Sequence, residues 1–123
     1  MLLLVLGKGK TGSLVTHVAR ERGHSVRVLD LTENRDASAL TAPALAGIDV
    51  VIDFTAPEAA VKNMRAVLAV GARIVVGTTG WYAHLNEMKA LAIKRGGIAR
   101  GLRRAISLDS LTADPKLIES VGR

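Results

Sequence analysis

The stretch of sequence that decides the fold is Leu-Leu-Leu-Val-Leu-Gly-Lys-Gly-Lys-Thr-Gly, residues 2–12. Its unbroken aliphatic run, ended by glycine, predicts a β-strand that is buried on both faces. Gly7, Gly9 and Gly12 then form a G-x-G-x-x-G pattern, and apolar side chains recur on one helical face from residue 11 onward. A strand, a glycine loop and a helix in this order predict a turn that binds the diphosphate of a dinucleotide.

Each glycine of this loop has its own expected role. Gly7 permits a tight turn, Gly9 lets the backbone approach a diphosphate, and Gly12 lets the helix pack closely on the strand. The diphosphate would meet free N–H groups at the positive end of the helix dipole.

Gly9-Lys10-Thr11 also matches the end of the phosphate loop of nucleoside triphosphatases, G-x-x-x-x-G-K-[ST]. In that alignment Leu4 takes the place of the first glycine, inside the strand, so too little loop is left to wrap a triphosphate. This alternative is therefore disfavoured. Lys8 and Lys10 either add positive charge beside the diphosphate or are ordinary solvated lysines.

A second strand is predicted at residues 25–29, and Asp30 follows it. A carboxylate at this position can accept both hydroxyls of an adenosine ribose and repels a 2′-phosphate, which favours NAD(H). Arg27 and Arg35 leave NADP(H) open. The structural alternative is a glycine-rich turn with Asp30 as a helix cap.

The chain continues to alternate between strands and helices. Further strands are predicted at residues 48–54 and 73–76. Further helices are predicted at residues 37–46 (a short helix interrupted by Pro43), 57–71 and 83–95. This alternation predicts an α/β fold, a Rossmann-like parallel sheet with helices on both faces, as one dinucleotide-binding domain over residues 1–97. Residues 98–101 start a further strand-like run that two arginines interrupt. Residues 98–123 as a whole are interpreted as a divergent basic tail.

The composition excludes several classes of protein. With 123 residues, 49% of them hydrophobic, the chain fits one folded domain rather than a disordered segment. Since there is no cysteine, a disulfide framework and a thiolate metal site are excluded, and no metal site is predicted. The apolar run at residues 1–6 is too short for a signal peptide or a membrane span. We therefore expect a cytoplasmic protein without a membrane partner.

The net charge of +6 raises the question of nucleic-acid binding. Half of it lies beyond residue 94, where four arginines cluster at residues 95, 100, 103 and 104. A stacking platform for single-stranded nucleic acid needs several spaced aromatic residues. The chain has three: Phe54, Trp81 and Tyr82. Nucleic-acid binding is therefore not expected, although a basic interaction protein that works through the arginines stays an alternative.

Two more polar loops follow predicted strands. Asp53-Phe54-Thr55 ends the third strand, and Gly77-Thr78-Thr79-Gly80 ends the fourth. Ligands of open parallel sheets bind outside the carboxyl ends of the strands, so we expect both loops beside the glycine loop. Taken alone, each loop is an ordinary connection between a strand and a helix.

These loops carry a family resemblance. Residues 51–59 (Val-Ile-Asp-Phe-Thr-Ala-Pro-Glu-Ala), Asn63 and residues 75–80 (Val-Val-Gly-Thr-Thr-Gly) resemble dihydrodipicolinate reductase, also called 4-hydroxy-tetrahydrodipicolinate reductase. The resemblance covers about residues 1–95. It implies an oxidoreductase of the diaminopimelate route of lysine biosynthesis, which transfers hydride from NADH or NADPH to a cyclic imine-type dicarboxylate.

The resemblance also implies roles for individual residues. Gly7–Gly12 would hold the diphosphate and Asp30 the adenosine ribose, while Phe54 and Thr55 would lie near the diphosphate and the nicotinamide. The residues expected to bind the nicotinamide half are Gly77, Thr78 and Thr79. No catalytic residue is assigned.

The sequence departs from the family at two places. The glycine loop is one residue shorter than the family's G-x-x-G-x-x-G. The family's Asn-Phe-Ser loop, its His-His and Lys motif and its Ser-Gly-Thr anion site are not found, and residues 98–123 do not match. A frameshift near residue 98 and a genuine short paralogue are two alternative explanations. In the family the homo-oligomer is assembled by the second domain, before which this chain is expected to be truncated.

The three histidines of the chain do not replace the missing motif: His17, His24 and His84. None is expected to have a partner lysine, so a general acid for the reduction is missing. We therefore expect weak dinucleotide binding without turnover by the chain alone. The alternative is a non-catalytic NAD(P)-binding or sensing module.

Overall fold

A computed structural model describes residues 1–96 and 105–107 of the chain, with side chains described as far as Leu91. Strands and helices alternate along it. The elements are β1 (Leu2–Leu6), α1 (Lys10–Glu21), β2 (Ser25–Leu29), α2 (Ala42–Leu45), β3 (Val50–Asp53), α3 (Pro57–Ala69), β4 (Ile74–Val76), α4 (Leu85–Gly96) and β5 (Ala105–Ser107).

The strands form one parallel sheet in the order β2-β1-β3-β4-β5. Leu3 of β1 lies opposite Val26 of β2 on one side and opposite Val50 of β3 on the other. The chain therefore moves from β1 to one side for β2 and to the other side for β3. In sheets of this kind the ligand crevice lies where the strand order reverses, here between the carboxyl ends of β1 and β3.

Both faces of the sheet are covered, as predicted. Leu4 of β1 belongs to a buried cluster with Met64 of α3 and Met88 of α4. Its neighbour Val5 points to the opposite face and belongs to a second cluster with Ala19 of α1. Because every central strand is buried on both sides, it needs an aliphatic run rather than alternation, which explains the sequence of β1.

The structure differs from the sequence predictions at two elements. The helix predicted over residues 37–46 is limited to α2, and Pro43 does not interrupt it but lies in its first turn. An N–H at that position would have no acceptor within the helix, so proline loses no hydrogen bond there. A short 3₁₀ turn, Tyr82–His84, precedes α4. Both differences concern helix starts, which the apolar periodicity does not locate well.

β5 lies within residues 98–123, where no periodic signal predicts a strand. It has three residues and pairs in parallel with β4, with Ile106 opposite Val75. Three residues are too few to show a period, so the pairing alone defines this strand. The strand-like run predicted at residues 98–101 lies outside the described residues. The division of the chain at residue 97 stays a prediction.

Among the described residues, no helix is both long enough and apolar enough to cross a membrane.

Candidate functional site

The first residue of each loop that follows β1, β3 and β4 continues the backbone pairing of the sheet to a neighbouring strand. Gly7 N–H donates to the last carbonyl of β2 at 2.9 Å, and Phe54 N–H donates to the last carbonyl of β1 at 2.9 Å. Gly77 N–H donates to the last carbonyl of β3 at 2.8 Å. The predicted site residues therefore lie side by side along one edge of the sheet.

Two of the three loop glycines are required by close backbone contacts. Gly7 has a φ of +112°, and a Cβ atom on it would lie 2.4 Å from the carbonyl oxygen of Phe54. A Cβ atom on Gly12 would lie 2.5 Å from the carbonyl oxygen of Gly7. In contrast, no atom lies within 4 Å of a Cβ atom built on Gly9. Gly7 and Gly12 therefore shape the loop, whereas Gly9 leaves open space beside the helix.

Helix α1 begins directly at this open space. Gly9 is its N-cap and has no side chain to cap it, and the first bond of the helix runs from Ser13 N–H to the Gly9 carbonyl at 2.9 Å. The N–H groups of Lys10, Thr11 and Gly12 consequently have no acceptor within the helix. The first turn also carries no acidic residue. Its positive partial charge is therefore available to an anion.

Asp30 closes a tight turn after β2. Its Oδ1 accepts the N–H of Glu33 at 2.8 Å, and Glu33 Oε1 accepts the N–H of Asp30 at 3.0 Å. The Lys8 ammonium lies 3.0 Å from Glu33 Oε1 and 3.7 Å from Asp30 Oδ2. The hydrogen bond from the Glu33 N–H, with help from the charge of Lys8, keeps the pKa of the Asp30 carboxyl below its ordinary value. Asp30 is thus an ionised acceptor with one oxygen committed to a turn, and the described elements include no helix that begins at Asp30 for it to cap.

A cavity of about 320 Å³ begins at Asp30. One wall is the loop after β2, including Asp30 and Arg35, and the other is the start of α3, including Glu58 and Lys62. Thr55 lines the cavity where it approaches the end of β3. The volume matches the small end of ligand pockets in proteins.

A buried carboxylate, that of Asp53, holds together the loops that follow β3 and β4. Asp53 is fully buried, and its Oδ1 accepts from Thr55 N–H at 3.0 Å, Thr55 Oγ1 at 2.7 Å and Thr78 Oγ1 at 2.9 Å. Its Oδ2 accepts from Asn63 Nδ2 at 2.8 Å. Thr78 Oγ1 also accepts the Thr55 N–H at 2.9 Å. These bonds supply what a buried carboxylate requires and fix the loops after β3 and β4 relative to each other.

The Phe54 ring lies against the backbone of Gly77. A Cβ atom on Gly77 would lie 2.2 Å from the Phe54 ring, so only glycine allows this approach. Thr79 is exposed beside it. Trp81, only 1% exposed, then anchors the end of the loop in the core.

Sequence reasoning missed the roles of three buried polar residues. Asp53 and Asn63 belong to the motif that carries the family resemblance, but the sequence predicts no separate role for them and none for Asn34. Asn34 Nδ2 donates to Asn63 Oδ1 at 2.9 Å. A signal for Asn63 exists, since it falls on the same helical face as Ala60 and Val67 and is therefore a polar residue within an apolar stripe.

The three histidines lie away from these loops or pair elsewhere. His17 is exposed and pairs with Glu21 at 3.1 Å. His24 Nδ1 lies 3.2 Å from the amino terminus. His84 Nδ1 lies 3.2 Å from Glu87 Oε2.

The geometry agrees with a comparison to known families. The family model described as "Dihydrodipicolinate reductase, N-terminus" matches residues 1–100. The chain belongs to the dihydrodipicolinate reductase family. The part of that family which it matches is a Rossmann-like dinucleotide-binding domain.

Curated members of the dihydrodipicolinate reductase family align with the same part of the chain. The 4-hydroxy-tetrahydrodipicolinate reductase of Christiangramia forsetii is 33% identical over 93 residues, which are 72% of this chain and 36% of that protein. The one of Natronomonas pharaonis is 36% identical over 88 residues, 66% of this chain and 36% of that protein. The one of Anaeromyxobacter dehalogenans is 55% identical over 54 residues, 44% of this chain and 20% of that protein. The match thus spans about a third or less of each relative.

Proposed function

We propose that this chain forms the NAD(P)H-binding part of a 4-hydroxy-tetrahydrodipicolinate reductase. The whole enzyme would reduce a cyclic dicarboxylate in the diaminopimelate route to lysine. The observation that carries the proposal is the edge of the sheet itself, where three hydrogen-bonded loops surround an uncapped helix N-terminus. An ionised carboxylate lies at one end of this edge and a pair of threonines at the other.

The centre of the edge is suited to the diphosphate. Gly9 offers open space, and the N–H groups of Lys10, Thr11 and Gly12 have no helical acceptor. Lys8 adds a positive charge on the same loop, although it also pairs with Glu33. Backbone donors, helix dipole and lysine charge all favour a dianionic group here.

The adenosine end is suited to NAD(H). Asp30 is held ionised, and an ionised carboxylate accepts ribose hydroxyls and repels a 2′-phosphate. Arg35 lines the same cavity, so NADP(H) is the second coenzyme that we expect to bind, with lower affinity.

The nicotinamide end is formed by Phe54, Thr55 and the loop Gly77–Thr79. When bound, NAD(P)H supplies the hydride. The role of the chain is to hold the two loops in place through Asp53, which fixes the Thr55 and Thr78 hydroxyls. The close contact of the Phe54 ring with Gly77 keeps this end of the edge packed. This arrangement would orient the nicotinamide ring. Within residues 1–91 we assign no side chain to donate a proton.

Exchanging Asp30 for alanine tests the adenosine end. Asp30→Ala removes two hydrogen bonds to an anion, each of which contributes about 1.5–3 kcal/mol, so NADH affinity should fall at least about tenfold. NADPH affinity should fall less, because its 2′-phosphate loses a repulsive neighbour. Calorimetric titration of both coenzymes measures this.

Glu21→Ala is the control, since it removes the same charge from a position outside the cavity lining. Glu21 is exposed and pairs with His17 at 3.1 Å, so this variant should change the affinities for NADH and NADPH by the same factor. Equal losses of both coenzymes in Asp30→Ala would contradict the ribose role.

A non-catalytic NAD(P)-binding module is the second candidate. The position of the three histidines favours it, because none of them lies within the glycine loop or the loops after β3 and β4. Both candidates have a small-molecule dinucleotide as partner and the cytoplasm as expected location. They differ only in turnover.

A further inference from the structure

Two side-chain contacts join the walls of the cavity within the described part of the chain. Asn34 Nδ2 donates to Asn63 Oδ1 at 2.9 Å, and these residues are only 8% and 2% exposed. The second contact is the ion pair of Lys62 with Asp36, whose side chains are 52% and 72% exposed. The asparagine pair therefore lies at the inner end of the cavity, and the ion pair lies at its rim.

The asparagine pair is anchored on both sides. On the loop side, Asn34 Oδ1 accepts the N–H of Ala39 at 3.2 Å, and the Asn34 N–H donates to the carbonyl of Asp30 at 3.1 Å. On the helix side, Asn63 Nδ2 donates to Asp53 Oδ2 at 2.8 Å. A continuous series of hydrogen bonds thus leads from the turn that carries Asp30 to the carboxylate that holds the loops after β3 and β4.

We propose that Asn34 and Asn63 are positioning residues, which set the width of the cavity and hold Asp30 at the distance an adenosine ribose requires. This proposal rests on the proposed function. Loss of either amide leaves a buried polar atom of the other without a partner, and the loop after β2 must move to restore its hydrogen bonding. The exposed ion pair at the rim cannot replace the buried bond, because exposed pairs contribute little.

The test is calorimetric titration of the full chain with ADP-ribose and with NADH. ADP-ribose contains the adenosine half and the diphosphate without the nicotinamide. Asn34→Ala and Asn63→Ala should each weaken both ligands by the same factor, about tenfold. The double variant should bind no more weakly than Asn63→Ala, because both substitutions break one coupled unit.

A stability control accompanies these variants. Val75→Ala lies on β4, removes buried packing from the core cluster on the other face of the sheet and lies outside the cavity lining, so it destabilises the fold without touching the asparagine pair. At a temperature where circular dichroism shows all variants folded, Val75→Ala should bind ADP-ribose within about twofold of the parent. A loss as large as that of the asparagine variants would overturn the proposal. Asn34→Ala changes the loop alone, so it keeps the test valid if Asn63→Ala does not fold.

Amide hydrogen exchange of the ligand-free chain separates this proposal from the proposed function. Exchange of the Ala39 N–H should accelerate in Asn63→Ala, because Asn34 then loses the partner that holds its acceptor oxygen. Unchanged exchange, or ADP-ribose affinity within twofold of the parent in both asparagine variants, would overturn the positioning role. If the parent binds neither ADP-ribose nor NADH, the proposed function fails, and the exchange result alone decides whether the pair positions the loop.

Discussion

The geometry of the carboxyl edge explains why particular residues occur there, and the sequence pattern predicts only part of that explanation. The G-x-G-x-x-G pattern predicts a tight turn at Gly7 and close packing at Gly12. The positive φ of Gly7 agrees with the turn, and a Cβ atom on Gly12 would lie 2.5 Å from the Gly7 carbonyl oxygen, which agrees with the close packing. Asp30 is a different case, since the sequence leaves a helix cap and a ribose ligand open. In the structure Asp30 closes a turn rather than capping a helix, and its carboxylate is kept ionised. The ribose role therefore stays a prediction.

The glycine loop yields a prediction about stability. Gly12→Ala places a methyl group against the Gly7 carbonyl, so it should lower the free energy of unfolding by about 1–3 kcal/mol. Gly9→Ala is the matched change in the same loop, and its methyl group would meet no atom within 4 Å. It should cost less than about 1 kcal/mol, the usual effect of alanine at an N-cap.

Urea denaturation of the two glycine variants measures the difference. Equal stabilities of Gly12→Ala and Gly9→Ala would contradict the close approach of helix α1 to the loop.

The hydrogen-bond network under the loops was not predictable from local pattern. Asp53, Asn63 and Asn34 are separated along the chain and meet only after β3, α3 and the loop after β2 have packed. A single sequence reports what each residue is, whereas the partner of a buried polar group depends on the tertiary structure. The apolar stripe of α3 marks Asn63 as buried but does not identify its partners.

At the scale of elements, α3 and α4 are joined by an ion pair outside the core. Arg65 Nε and Nη2 donate to the two carboxylate oxygens of Glu87 at 2.7 and 2.9 Å, and His84 lies 3.2 Å from the same carboxylate. These contacts lower the pKa of Glu87 from 4.5 to about 2, chiefly through the hydrogen bond from Arg65. The pairing of these two helices is therefore sensitive to acid.

The direction of the pH effect follows from that pKa. Because Glu87 has a lower pKa when folded than when unfolded, its contribution is complete above about pH 4.5 and is lost as the pH falls toward 2. Glu87→Gln should have a lower melting temperature than the parent near neutral pH, and the difference should shrink below pH 4.5. Thermal denaturation followed by circular dichroism measures it.

The control for this pH effect is Glu87→Gln in an Arg65→Gln background. There the pH-dependent part of the difference should be reduced, since the principal cause of the low pKa has been removed. A melting-temperature difference between parent and Glu87→Gln that grows as the pH falls would contradict the account.

Helices and strands differ in how far sequence predicts them. The aliphatic runs of β1 and β3 and the apolar face of α3 predict their elements because burial on two faces or one face leaves a direct pattern. Pro43 is misjudged as a helix interruption because its effect depends on whether it lies in the first turn. β5 shows the limit for short elements, since its three residues are recognisable only from pairing with β4.

At the scale of the whole molecule, the family match covers a dinucleotide-binding domain, and among residues 1–91 we assign no side chain to the chemistry of reduction. The loops that follow β1, β3 and β4 lie along one edge of the sheet, as the alternation of strands and helices predicts. The chain spans about a third of the length of the curated relatives. Coenzyme binding and turnover are therefore separate questions for this molecule.

Turnover is the second whole-molecule prediction. We expect the chain alone to bind NADH without oxidising it when the cyclic dicarboxylate of the family reaction is added, because none of its histidines lies within the loops of the carboxyl edge. Absorbance of NADH at its characteristic wavelength follows the reaction. A steady decay that requires both chain and substrate would show that turnover resides in this chain and would exclude the non-catalytic module.

The central claim is that the carboxyl edge of the sheet binds a dinucleotide, and its most direct test is calorimetric titration of the full chain with NADH. The account predicts saturable binding of one NADH per chain, which ADP-ribose competes away, because both ligands place a diphosphate at the start of α1. Absence of a saturable heat signal with a chain that is folded by circular dichroism would contradict it.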